Sequence, residues 1–356
     1  MKKILPVQLN AYINTECWTY IRMCIIQTLP NYQKWLFSHM TMFTNCQEKT
    51  IYFGDYRYVL STDYYKDILN ITEKNIFAID DIKAFIIEHI NNDDYISVFV
   101  RHSNDYDHEI FIYVYDDSTE EFDSVALWDN GKFVSKKIKY KEIVQGFSKL
   151  KKALMNNPNP LFQRREYTFL LCTLKPCYEY LSRDYTYEYF SKIYHETYGN
   201  TIRLFPIDEY EHEMNPFEYM TGVACLLGAR NIIEELIHLD DLTGCNKKIY
   251  IIRKELFKLL EHRRIISASM KWYKNLWNIT NNEILNIIEA YFDWVIHMEE
   301  TCNLFLKFEQ THDKNILTKV LNKLSYQYSN DKLLLGQYIN SLREYYFNEI
   351  CLNELI

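Results

Sequence analysis

The chain has 356 residues, 48% hydrophobic and 25% charged, which is enough to bury a core and long enough for one large domain or two of ordinary size. Its formal net charge of −8 argues against a nucleic-acid binder, which would carry a basic face. Its eight glycines form neither a G-x-G-x-x-G nor a G-x-x-x-x-G-K-[ST], so dinucleotide and P-loop phosphate binding lose their usual sequence support, and no run approaches the roughly eighteen apolar residues of a membrane span.

At the N-terminus, MKKILPVQLNAYINTE is broken by Pro6, Gln8 and Asn10 and is too short for a signal peptide. The cysteines, at 17, 24, 46, 172, 177, 225, 245, 302 and 351, form no framework. The expectation is a cytoplasmic chain with reduced thiols, in which a well-placed Cys is a candidate nucleophile. The 31 tyrosines, alongside abundant Ile, Asn and Lys, fit an AT-rich coding bias and carry no functional reading by themselves.

CWTYIRMCIIQTL has helical spacing, with Thr15 ahead as a candidate N-cap and Pro30 beyond as a stop. NYQKWLFSHMTMF restarts a helix. IDDIKAFIIEHINN reads as another, with Asp80 and Asp81 where negative charge suits the helix dipole. YISVFVRH, HEIFIYVY, FDSVALW and KFVSKKI are short, rich in Val, Ile and aromatics, and separated by polar turns, so they read as antiparallel strands. YKEIVQGFSKLKKALM returns to helix. The stretch Met155 to Glu166, MNNPNPLFQRRE, breaks the pattern with two prolines and three asparagines. Beyond it, NPFEYMTGVACLLGARNIIEELIHL and three further segments repeat apolar residues every three or four positions, the first opening Asn-Pro as a helix start does. The expected layout is α+β: a first domain over 1–154 with helices on an antiparallel sheet, a linker over 155–166, and a mostly helical domain over 167–356.

Cys17 opens a predicted helix. The unpaired N–H groups and dipole there favour a thiolate, and the backbone N–H is a ready oxyanion donor. Cys24, mid-helix among apolar neighbours, reads instead as a packed thiol. With DSTE as a turn, folding the hairpin places His108 opposite about residue 129 and Asp123 opposite Val114. Strand alternation puts His108 on the face of Ile110, Ile112 and Val114, where a histidine is more often a packed core residue than a catalyst. In cysteine proteases of the papain type, a thiolate at a helix N-terminus meets a His at the head of a facing strand, oriented by a side-chain oxygen. Cys17, His108 and an acid near 129 occur in that order.

The stretch INNDDYISVFVRHSNDYDHEIFIYVYDDSTEEFDSVALWDNGKFVSKKIKYKEI resembles the papain-like cysteine-protease-homologue family of the butirosin-type acyltransferase, found in peptide- and antibiotic-biosynthesis clusters. His108, Ile112, Tyr113, Tyr115, Asp116 and Asp117 match its pattern, and NTECWTYIRMCIIQTL resembles its Cys-led helix. Val114 stands where that family has glycine, and Leu127 where its acid aligns, so the third member of a triad is either missing or displaced to Asp129 or Asp123. The resemblance implies a papain-like fold for residues 1–154 and acyl transfer. Cys17 would take an acyl chain from the phosphopantetheine thioester of an acyl or peptidyl carrier protein, with His108 as base. A small amine would then accept it as an amide. No bound cofactor, nucleic acid or membrane is implied. The Cys17 N–H, with Asn14 and Asn10 as further candidates, would hold the oxyanion. A hydrolase of the same fold, or a catalytically degenerate carrier-binding partner, is the alternative.

Other signals are weaker. Glu289, Asp293 and His297 share one helix face, but no complementary Glu-x-x-His accompanies them, and a solvated face is expected rather than a metal site. Cys172 and Cys177 lack the C-x₂-C spacing of a zinc knuckle. Lys247, Lys248, Arg253, Lys254, Arg263 and Arg264 lie on a basic amphipathic segment that could meet an acidic carrier protein.

Overall fold

The structure, a computed structural model, describes residues 1–45, 51–53, 62–101, 107–128, 132–158, 166–199, 201–204, 217–239, 242 and 244–351. The chain forms two compact units, each discontinuous in sequence: Met1–Tyr32 with Leu60–Arg183, and Gln33–Val59 with Asp184–Ile356. It is an α+β protein with antiparallel sheets and a helical C-terminal region.

The first unit is built on a seven-stranded sheet of β1 (Lys2–Ile4), β4 (Leu69–Glu73), β5 (Tyr95–Arg101), β6 (Asp107–Asp116), β7 (Glu121–Trp128), β8 (Lys132–Lys139) and β9 (Leu171–Pro176). The order is β4-β9-β5-β6-β7-β8, and all neighbours are antiparallel. The first half of β6 pairs with β5, His108 lying opposite Val100, and its second half with β1, Ile4 lying opposite Val114. The helices of this unit are α1 (Cys17–Ile26), α3 (Ile82–Asn91) and α4 (Tyr140–Asn156). Asp81 caps α3 by accepting the Ala84 N–H at 3.0 Å. In α4, Ile143, Gly146, Phe147, Leu150 and Leu154 are buried at helical spacing. A Cβ at Gly146 would sit 3.0 Å from Val100 Cβ, so glycine lets the helix lie close to β5 without pushing Val100 aside.

β6 departs from the one-sided strand that alternation predicts: His108 through Tyr115 are all buried. The sheet is covered on both faces, by α4 over Val100 and by α1 through an Arg22–Glu109 ion pair. Such a strand carries apolar residues at successive positions instead of alternate ones. The break at 155–166 is not a domain boundary. After it the chain returns to the same sheet, where β9 lies between β4 and β5. Pro and Asn end α4's helical stretch but say nothing about which sheet the next strand joins.

The second unit has a four-stranded antiparallel sheet, ordered β10 (Thr201–Leu204), β11 (Phe217–Thr221), β2 (Met42–Asn45), β3 (Ile51–Phe53). Its helices are α2 (Gln33–His39), α5 (Thr186–Tyr198), α6 (Cys225–Ile237), α7 (Asn246–Leu276), α8 (Asn282–Thr311) and α9 (Lys314–Tyr345). α8 buries Ile284, Ile288, Tyr291, Val295, Met298, Cys302 and Phe305, spaced by three or four, and Asn281 caps it. The helix expected from Asn215 begins ten residues later, at Cys225. Asn215 and Pro216 lie outside the described residues, Phe217–Thr221 is strand, and Gly222 takes φ +57 in the turn that follows. That left-handed backbone, natural to glycine, ends the strand before the helix starts. Likewise α2 stops at His39, and Met42–Asn45 is strand. Among the described residues, no helix is long and apolar enough to cross a membrane.

Candidate active site

Cys17 is the first residue of α1. Glu16, not Thr15, is the N-cap, with an extended backbone (φ −132, ψ 120). Its carbonyl accepts the Tyr20 N–H at 2.8 Å, and its carboxylate accepts the Thr19 hydroxyl instead of a backbone N–H. The first-turn N–H groups, that of Cys17 among them, have no acceptor within the helix and lie where the dipole favours negative charge.

His108, the second residue of β6, is only 6% exposed. Its Nε2 lies 3.4 Å from Cys17 Sγ, within hydrogen-bonding reach for sulfur. Its Nδ1 lies 2.7 Å from the Glu109 carbonyl oxygen. A carbonyl can only accept, so Nδ1 carries a hydrogen. In neutral imidazole, Nε2 then holds the lone pair and faces the thiol, as a base must. Two residues separated by 91 positions are thus brought side by side.

The third members proposed from sequence fare differently. Asp123 lies opposite Val114, six residues along β6 from His108, and cannot reach the imidazole. Asp129 lies outside the described residues. A bulge between Ile112 and Val114 shifts the β6–β7 register by one, so that Ile110 faces Ala126. Leu127 lies opposite Phe133. Of the oxyanion candidates, Asn14 donates its amide to the Ala11 carbonyl at 2.6 Å, and both Asn14 and Asn10 are exposed.

Sequence reasoning missed the groups next to this pair. Arg22 Nη1 donates to Glu109 Oε1 at 3.1 Å and to the Trp18 carbonyl at 2.9 Å, while Ser97 donates to the same Glu109 oxygen. Arg22 and Glu109 are 0% and 3% exposed. An arginine within the apolar run of α1 and a glutamate within that of β6 were the available signal, since buried charges occur in opposite pairs. Cys24, buried about two turns beyond Cys17, has its thiol pushed up to about 12 by burial, as suits an inert packed cysteine.

The remaining candidates are placed elsewhere. Glu289, Asp293 and His297 are exposed on α8, His297 lying 3.4 Å from Glu300. Among the described residues, no group of three or more His, Cys, Asp or Glu could hold a metal ion. Cys172 and Cys177 are buried free thiols. On the basic segment of α7, Arg263 is buried on Asp331 at 2.5 Å, and Arg253, Arg264 and Lys248 pair with Glu309, Glu299 and Glu235. No protein-family model matches the chain, and a search of curated proteins returns no match.

Proposed function

We propose that this chain is a cysteine-dependent acyltransferase whose first unit has a papain-like fold. It would move an acyl group from a carrier-protein thioester through Cys17 to an amine, forming an amide. The observation that carries this reading is the 3.4 Å approach of Cys17 Sγ to His108 Nε2, with Nδ1 engaged by a carbonyl. A thiol at a helix N-terminus beside an imidazole oriented in this way is the arrangement that activates sulfur for attack on a carbonyl.

In the first half-reaction Cys17 Sγ attacks the thioester carbon and its proton passes to His108 Nε2. The tetrahedral oxyanion is held by the Cys17 N–H at the start of α1. The C–S bond to phosphopantetheine breaks, the departing thiol takes the proton back from Nε2, and an acyl-Cys17 thioester remains. In the second, an amine attacks that thioester, His108 accepts its proton, and Cys17 leaves as the amide forms. Phosphopantetheine enters only as part of the substrate. The electron count closes without a redox partner or metal.

The test is intact-protein mass spectrometry after incubation with an acyl-loaded carrier protein. An acyl adduct on wild type that is absent from Cys17→Ala, and that an added amine converts to an amide, is the expected result. An adduct that persists in Cys17→Ala defeats the assignment. Turnover to free acid at a rate no amine changes makes the chain a hydrolase. If Cys17 forms no adduct and alkylates no faster than an ordinary thiol, a non-catalytic carrier-binding role replaces both.

A further inference from the structure

We propose that Arg22 and Glu109 are a positioning pair, an ion pair that ties the Cys17 helix to the strand bearing His108 and so sets the thiol–imidazole distance. This rests on reading Cys17 and His108 as the reactive pair, and neither Arg22 nor Glu109 touches substrate in it.

Glu109 meets both halves of the site. Its main-chain carbonyl accepts from His108 Nδ1 at 2.7 Å, which fixes the ring. Its carboxylate accepts from Arg22 at 3.1 Å, which fixes the helix. Arg22 lies five residues after Cys17, about 7.5 Å along the axis. Its guanidinium reaches back about one turn, donating to the Trp18 carbonyl and stacking 3.2 Å above the Trp18 ring, the residue next to the nucleophile. Ser97, on β5, donates to the same Glu109 oxygen and holds the carboxylate from the other side. The link from thiol to imidazole therefore runs Cys17, Trp18, Arg22, Glu109, His108, with directional contacts at each step off the main chain.

Stability alone does not account for this arrangement. Both charges are stripped of water, and well-packed apolar residues of similar volume often serve a buried site equally well or better. An ion pair adds a contact of fixed length and direction, where an apolar contact tolerates sliding. Sliding matters here because a misplacement of about 1 Å in reacting groups can cost about 100-fold in rate.

The experiment follows alkylation of Cys17 by iodoacetamide in the full chain, by peptide mass spectrometry across a pH series, with urea unfolding of each variant in parallel. His108→Ala defines the rate without the base. In the paired apolar variant Arg22→Met/Glu109→Leu, the urea midpoint is expected to stay near wild type. Cys17 alkylation is expected to fall about tenfold or more toward the His108→Ala rate, with the pH profile flattening. Arg22→Lys, which keeps a cation for Glu109, is expected to recover part of the rate. A folded double variant with the wild-type rate and pH profile overturns the proposal and leaves the Cys17–His108 reading standing. If the double variant does not fold, Ser97→Ala and Arg22→Lys decide: rates and profiles equal to wild type in both overturn it. If wild-type Cys17 reacts no faster than the partly exposed Cys245, and His108→Ala changes nothing, the dyad reading falls first and takes the pair with it.

Discussion

The strand register excludes Asp123 as the residue that orients His108, and Asp123→Asn measures that exclusion. Asp123 is paired with Val114, six residues from His108 on β6, which at about 3.4 Å per residue places it roughly 20 Å away. At that separation two unit charges interact by about 0.2 kcal/mol in water before salt screening, so the substitution should change the rate by a factor of about 1.4 at most. Removal of a carboxylate that truly orients the imidazole costs about 10⁴-fold in a serine protease triad. The two cases lie far enough apart for a simple assay to separate them. Cys17 alkylation and single-turnover acyl transfer are to be measured for Asp123→Asn, with Asp129→Asn run beside it as the other acid candidate. A loss of more than about tenfold in folded Asp123→Asn, equivalent to about 1.4 kcal/mol, would refute the register argument.

Three further outcomes concern the second unit. Asp331→Leu removes the carboxylate 2.5 Å from Arg263, both residues being nearly fully buried, and leaves Arg263 only the more distant Glu196 at 3.6 Å; it should lower unfolding free energy by about 3 kcal/mol in urea titration, and a loss below about 1 kcal/mol would show that Glu196 alone compensates the charge. Burial pushes Lys192 down to about 8, partly opposed by Glu196, whereas in the unfolded chain it titrates near 10.4. Between those values the unfolded state holds a proton that the native state has lost, so Lys192 makes stability rise with pH across this window, by about 3 kcal/mol in all, and below pH 8 its burial penalty is felt in full. The rise should vanish in Lys192→Met; parallel pH–stability curves for the two proteins would count against it. Gly222 and Gly244 both have positive φ, but a Cβ on Gly222 would lie 2.5 Å from the Glu196 carbonyl oxygen while one on Gly244 meets nothing within 4 Å. Gly244→Ala should therefore cost only the left-handed backbone, about 1–2 kcal/mol, and Gly222→Ala clearly more; equal losses by urea titration would show the contact to be yielding.

The strands between Tyr95 and Lys139 were legible because Val, Ile and aromatics cluster in short runs between polar turns, and the DSTE turn placed Asp123 opposite Val114 correctly. The bulge between Ile112 and Val114 was not legible, because Tyr113 carries no glycine or other marker in the sequence. The pairing of Cys17 with His108 was legible too, since helix start and strand head are positions that sequence can mark. What holds His108 Nδ1 was not. Every residue has a carbonyl, so a main-chain acceptor leaves no signature in side-chain identity. The discontinuous units escaped for a related reason. The chain leaves the first unit after Tyr32 and rejoins it by Leu60, and composition does not change at either crossing. The Pro- and Asn-rich stretch at 155–166 was conspicuous, yet it records only where a helix must stop.

Under the acyl transfer proposed above, the carbonyl at Nδ1 bears on which acyl donor would suit the Cys17–His108 pair. It fixes the ring and the position of its hydrogen as a carboxylate would, but it carries only a partial charge and stabilises an imidazolium less. For a serine nucleophile that loss would be severe, because the neutral hydroxyl offers the imidazolium no counter-charge before attack. A cysteine can transfer its proton first, and the resulting thiolate, 3.4 Å from Nε2, is itself the counter-charge. The leaving group completes the distinction. An amide nitrogen must be protonated as it departs, which demands a strong, well-supported general acid, whereas the thiol of a thioester can depart as thiolate with little help. A Cys–His pair oriented through a backbone carbonyl is therefore better matched to exchange of one thioester for another, followed by attack of a free amine, than to cleavage of a peptide bond.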